Sequence, residues 1–69
     1  MAVKEYHVDT DGKGHWHIRR GDQEKPFAFY PSIDAAESAA RALAHLNEAV
    51  VVVHDKGNIR RTDYRGLPV

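Results

Sequence analysis

At 69 residues the chain supplies one domain and leaves nothing with which to fold a second. Ten Lys and Arg balance ten Asp and Glu, so attraction of a polyanion would have to come from a local patch and not from the whole molecule. The absence of cysteine rules out a disulfide framework and a thiolate zinc site, and the longest apolar run, Ala49 to Val53, is too short to cross a membrane.

The start of the chain carries Lys4 and Glu5 with no apolar stretch of the secretory kind, so a cytoplasmic location is the default expectation. A chain of this size buries only about 60% of the surface that its unfolded form exposes. Nine of its apolar residues are alanines, which bury little area each, and self-association is the remaining usual source of stability.

From Lys4 to Asp9 the chain alternates, with Tyr6 and Val8 on one side and Glu5, His7 and Asp9 on the other, which predicts a half-buried first strand. Asp11-Gly12-Lys13-Gly14 is turn chemistry. His15 to Arg19 alternates again, sending Trp16 and Ile18 inward as a second strand, with Trp16 as a core anchor. After a turn at Gly21 to Glu24, Pro26 to Tyr30 suits a short third strand that Pro26 confines to an edge.

Pro31 ends that strand and Ser32 stands where a helix N-cap belongs, with Asp34 and Glu37 in the first turns favouring the helix dipole. A helix is predicted from Ile33 to about Asn47, burying Ile33, Ala36, Ala39, Ala40, Leu43 and Leu46. Ala49 to His54 is β-branched without alternation, the pattern of a central strand covered on both faces. Asp55-Lys56-Gly57-Asn58 turns the chain into a last strand, Ile59 to Tyr64, and residues 65–69 are expected to form a flexible tail.

The resulting class is α+β: a four- or five-stranded, mainly antiparallel sheet in ββ(β)αββ order with one helix on one face. A crossover through the helix lets the valine strand lie beside the first strand, between the two hairpins. Because Val50, Val51, Val52 and Val53 address both faces, the side away from the helix is expected to need cover. A homodimer on that face or on an edge strand would supply it.

Few residues suggest chemistry. Asp9 to Gly14 resembles the opening of a calcium loop, but Lys13 and Arg20 stand where oxygen ligands are required. His15 and His17 share a strand face that His7 can join from its neighbour, the one hint of a zinc or nickel site and also a possible source of pH-sensitive association. No metal or other cofactor is assigned.

No Ser, Thr or Cys lies in a nucleophile motif, Ser32 reads as a cap, and no phosphate-binding glycine motif is present, so catalysis is not expected. Arg19, Arg20, Lys25, Arg60, Arg61 and Arg65 are candidates for nucleic-acid or partner contact, against the simpler role of keeping edge strands apart.

The chain resembles a known family through Tyr6-His7-Val8, Gly14-His15-Trp16-His17-Ile18-Arg19-Arg20, the helix Ile33 to Asn47, and Val51-Val52-Val53-His54-Asp55-Lys56-Gly57-Asn58-Ile59-Arg60. These stretches are similar to the small bacterial proteins of the domain of unknown function 2188 family. The resemblance departs in the Asp9 to Gly14 loop and at Thr62-Asp63-Tyr64-Arg65-Gly66. It implies the architecture and a bacterial or phage origin, and no activity.

The expected function is a non-enzymatic interaction module that contacts another protein and itself. The alternatives are a nucleic-acid-binding regulator using arginine-bearing hairpins and a small phage-encoded inhibitor of a host defence complex.

Overall fold

The computed structural model describes residues 4–69. The elements are β1 (Glu5–Thr10), β2 (Trp16–Arg20), β3 (Ala28–Tyr30), α1 (Ile33–Asn47), β4 (Val50–Asp55) and β5 (Asn58–Thr62). They form one mixed sheet in the order β3-β2-β1-β4-β5 with α1 against one face. The β1–β4 pairing is parallel, running from Glu5–Val50 to Val8–Val53, and the other three pairings are antiparallel. A parallel neighbour needs a crossover, and α1 supplies it. No helix is long and apolar enough to cross a membrane among the described residues.

Turn chemistry sets both hairpins. In the first, Gly12 and Gly14 have φ of 81° and 85°. The Asp11 carboxylate accepts from the Lys13 amide at 2.8 Å, and Asp9 accepts from the Thr10 amide at 2.8 Å. The aspartates that mimic a calcium loop are thus occupied by their own backbone. In the second, Lys56 (φ 51°) and Gly57 (φ 85°) form a two-residue turn between the paired Asp55 and Asn58. Positive φ at both central positions matches the right-handed twist of the strands.

Ser32 caps α1, its Oγ accepting from the Ala35 amide at 3.2 Å. Ala36, Ala40 and Ala44 then form a line four residues apart that is fully buried. They meet Val8, Ile18, Val51 and Val53 from the sheet, with Tyr6, Trp16, Tyr30, Ile33, Ala39 and Leu43 packed around. Small side chains on the helix let it approach the sheet closely, and the valines and Ile18 fill the space.

Leu46 departs from the expected stripe and is 78% exposed. At 3.6 residues per turn it lies roughly 120° round the helix from Ala40, off the line that faces the sheet. Ala44 takes the buried place.

The ends of strands also differ from the sequence pattern. β3 begins at Ala28; Phe27 lies outside it, donating its amide to Ile18 O at 3.0 Å and setting its ring edge-on to Tyr6 at 6.1 Å. β5 ends at Thr62 because Asp63 turns the chain. Its Oδ1 accepts from the amides of Arg65 and Leu67 at 2.8 and 3.0 Å, and its Oδ2 accepts from Arg65 Nη2 at 2.8 Å.

Where a flexible tail is expected at residues 65–69, the chain instead folds back along the outer edge of β5. A Thr62–Pro68 bridge forms there, and the Val69 amide donates to Arg61 O at 3.0 Å.

The helix-to-sheet distance depends on the alanine line. Ala40→Leu is therefore expected to lower the unfolding free energy by about 1–3 kcal/mol, read as a lower urea midpoint with unchanged slope. The same substitution at exposed Ala42, which the helix presents away from the sheet, is expected to change stability by less than about 0.5 kcal/mol.

Candidate functional site

Period-2 alternation that sends Val8, Ile18 and Val53 towards α1 sends their neighbours to the opposite face, on which no element packs among the described residues. Strand register arranges that face in rows. Phe29, His17 and Asp9 line up across β3, β2 and β1, and one step beyond the Val8–Val53 pair the row continues through His54 and Ile59 of β4 and β5. The next row holds Arg19, His7, Val52 and Arg61. Glu5 and Val50 follow.

A polar chain crosses the centre of this face. Arg61 Nη1 donates to Glu5 Oε2 at 2.8 Å, reaching over β4. His7 Nε2 lies 3.2 Å from Glu5 Oε1, and His7 Nδ1 lies 2.9 Å from His54 Nε2. A carboxylate only accepts, so the His7 proton is on Nε2. Nδ1 of His7 then offers its lone pair, and His54 Nε2–H donates to it. The ring planes differ by 20° and the centroids are 5.2 Å apart. That separation is close to the contact plus two ring radii, so the imidazoles meet edge to edge, in line, and do not overlap face to face.

This network explains a burial that the core does not. Val52 is fully buried yet is not part of the cluster under α1. Its register neighbours on the open face are His7 and Arg61. The linked side chains of Glu5, His7, His54 and Arg61 form its cover, so the single chain provides the shelter that the valine run was expected to need from a second copy. Val51 and Val53 are 1% exposed and packed against α1, which removes them from any contact through the open face. Of the four candidate dimer-face valines, only Val50 is partly exposed.

Gly21 belongs to the same site. Its amide donates to Glu5 O at 2.9 Å. A Cβ there would stand 3.1 Å from Glu5 Cβ and 3.4 Å from both Glu5 Oε1 and His7 Nε2. A side chain here would press on the hydrogen-bonded pair, and the Glu5 side chain would have to shift by a few tenths of an ångström.

The titrations follow from these contacts. Burial drives the His7 imidazole below its ordinary value, helped by the charge of Arg19 across the strand and by His54, and opposed by the bond to Glu5. For Glu5, burial raises the carboxyl, but the hydrogen bonds from His7 and Arg61 together outweigh it and hold the group below the usual carboxylate value. At neutral pH the His7–Glu5 contact is thus a hydrogen bond from a neutral imidazole.

The histidine trio anticipated as a metal site is not assembled. His17 sits across from Asp9 and sets its ring edge-on to Phe29 at 6.2 Å, while His15 is exposed in the first hairpin turn. His7 is committed to His54. Among the described residues no group of three or more His, Cys, Asp or Glu is placed to hold a metal ion.

The cations also separate. Arg19 and Arg61 lie on the open face, whereas Arg20 and Arg60 alternate to the helix side. Lys25 is in the loop before β3 and Arg65 in the turn after β5. Four of them meet carboxylates of their own chain: Arg20–Asp22 at 3.6 Å, Arg60–Glu37 at 3.5 Å, Arg61–Glu5 at 2.8 Å and Arg65–Asp63 at 2.8 Å. No continuous basic stripe results among the described residues.

Two grooves flank the sheet. One of about 580 Å³ lies at the start of β1 between Lys4, Tyr6, Arg20, Asp22 and Asn47; another of about 490 Å³ separates Ala42, His45 and Leu46 from Tyr64 and Arg65. Neither lining includes Ser, Thr or Cys.

Gly21→Ala is expected to displace the Glu5 side chain, at a cost of about 1 kcal/mol, with a changed His7 nitrogen chemical shift as its direct signature. The pH dependence has a definite sign. His7 and Glu5 both hold their protons less tightly folded than unfolded, so the folded chain binds fewer protons. Their contribution is complete above the ordinary imidazole value of 6.5 and is lost as pH falls, first through the lowered value of His7 and then through that of Glu5. Urea midpoints are expected to decline on acidification, and Glu5→Gln to flatten the lower part of the curve.

No curated protein and no solved structure shows significant similarity to the chain. The model of one family, described as uncharacterized proteins conserved in bacteria, matches residues 6–63, which spans the sheet from Tyr6 to the turn after β5 and includes His7, Gly21, His54 and Arg61. The chain belongs to that bacterial family, DUF2188.

Proposed function

We propose that the protein is a non-enzymatic binding module whose contact surface is the open face of the sheet, and that its partner is a protein, self-association included. The observation that carries this reading is the pair Phe29 and Ile59. They are 69% and 58% exposed, and they occupy the two outer strands in one row of the same face, on either side of a polar centre whose side chains are already held in place. Exposed large apolar side chains flanking fixed polar groups suit contact with another folded surface.

Strand addition is a poorer route. The Arg61–Thr62 end of the outer edge of β5 is taken by the returning residues at Pro68 and Val69, and β3 is three residues long with prolines at positions 26 and 31 beside it. The division of the arginines between two faces, and their pairing with carboxylates, favours a protein partner over nucleic acid. Grooves lined by no Ser, Thr or Cys favour binding over catalysis.

Phe29→Ser with Ile59→Ser should leave the unfolding free energy within about 0.5 kcal/mol of the parent, because both side chains are largely in water. The reading requires that the double variant lose either concentration-dependent association in sedimentation velocity or capture of a protein partner that survives nuclease treatment. Retention of every such interaction by the variant, or capture that nuclease abolishes, contradicts it.

A further inference from the structure

We propose that the His7–His54 pair is a single-proton latch that keeps Val52 covered, and that a second proton opens the centre of the sheet face while the fold stays intact. The in-line contact between the two imidazoles at 2.9 Å needs one N–H and one lone pair. In the neutral pair His54 Nε2–H donates to His7 Nδ1, since His7 Nε2–H is engaged by Glu5.

One added proton is accommodated at His54 Nδ1, which makes no hydrogen bond to the described residues. The donated bond remains and becomes charge-assisted. The second proton goes to His7 Nδ1, where an N–H of His54 already points. Two donors then face each other, two positive rings adjoin, and the contact cannot persist.

The surrounding charges act on the charged form of His7. Glu5 on β1 bonds the far side of His7 and favours its charged form, whereas Arg19 on β2 opposes it. Arg61 on β5 holds the other oxygen of Glu5. Asp9 on β1 and His17 on β2 are register partners in the adjoining row. The His7 side chain is 12% exposed, and burial is the largest of the effects that disfavour its charged form.

Opening has a defined consequence because Val52 lies beneath the network and outside the core that α1 seals. Parting His7 from His54 removes the cover on one side of Val52 and joins it to partly exposed Val50 as an apolar strip. The core under the helix, from Val8 and Ile18 to Val51 and Val53, is on the other face and is not disturbed. The proposal concerns the isolated chain and holds whichever partner the open face meets, so its test is independent of the binding assay above.

The test is a pH titration of the uniformly labelled chain by nuclear magnetic resonance, following the imidazole nitrogens and the Val52 methyls, with helix content recorded by circular dichroism. The expected result is that Val52 stays unchanged while only one imidazole of the pair is charged. His7 titrates below the ordinary imidazole value, and the Val52 methyls shift and gain contact with solvent at the second step while helix content stays constant.

His54→Gln keeps an amide donor for His7 Nδ1 and carries no charge, so Val52 should stay covered through the range in which the parent opens. His17→Gln should titrate like the parent. The latch is refuted if both imidazoles charge without a response at Val52, if His54→Gln uncovers Val52 at the same pH as the parent, or if helix content collapses at the second step. The titration of the parent decides the matter even if the glutamine variant fails to fold.

Discussion

The parallel pairing of β1 with β4 is the constraint from which the rest of the molecule follows. It places β1 in the middle of five strands and forces the chain between the hairpins to cross one face, which α1 does. Once Val8 and Val53 are in register beneath the alanine line of the helix, alternation leaves no choice for their neighbours. His7 and Val52, and then Asp9 and His54, come to the other face. A shift of one residue in this register would turn the valines out and the histidines in.

Much of this was readable from residue order. Alternation in Glu5 to Thr10 and Trp16 to Arg20, the Ser32 cap, and the unbroken valines of β4 each carry a local physical signal, and these agree with one another and with the fold. The bounds of α1 follow the periodicity from Ile33 to Asn47.

The site was less legible, because its members come from β1, β4, β5 and the turn at Gly21, and only tertiary register brings them together. His54 carries no local mark that distinguishes it from the end of a strand. Glu5 reads as one more outward charge. The spacing of His15 and His17 points to the β2 side of His7, whereas the partner of His7 comes from the strand on its other side. The unbroken valine run signals burial on both faces; what spacing does not disclose is that the polar side chains of Glu5, His7, His54 and Arg61 lie over one of them.

The two faces divide the work of the protein. On one, alanines, valines and aromatic rings make a core of modest area that holds the helix. On the other, charged and titratable groups replace an additional apolar layer, so the burial of Val52 depends on hydrogen bonds and not on packing alone. Such a surface presents fixed donors and acceptors with apolar residues at its outer strands, and its character is set by the placement of these groups more than by net charge, which is zero.

The central position of β1 also bears on how the chain folds. Its antiparallel neighbour arrives within a few residues through a tight turn, but its parallel neighbour lies roughly forty-five positions later, beyond the helix. Loop closure of that length has to be achieved before any of the β1–β4 hydrogen bonds can repay it, and rates fall as such distant contacts come to dominate. Two locally formed hairpins joined by a helix must therefore collide in the correct alignment. Docking of the second hairpin onto the first, at the seam where Val8 meets Val53, is the step that carries this closure cost.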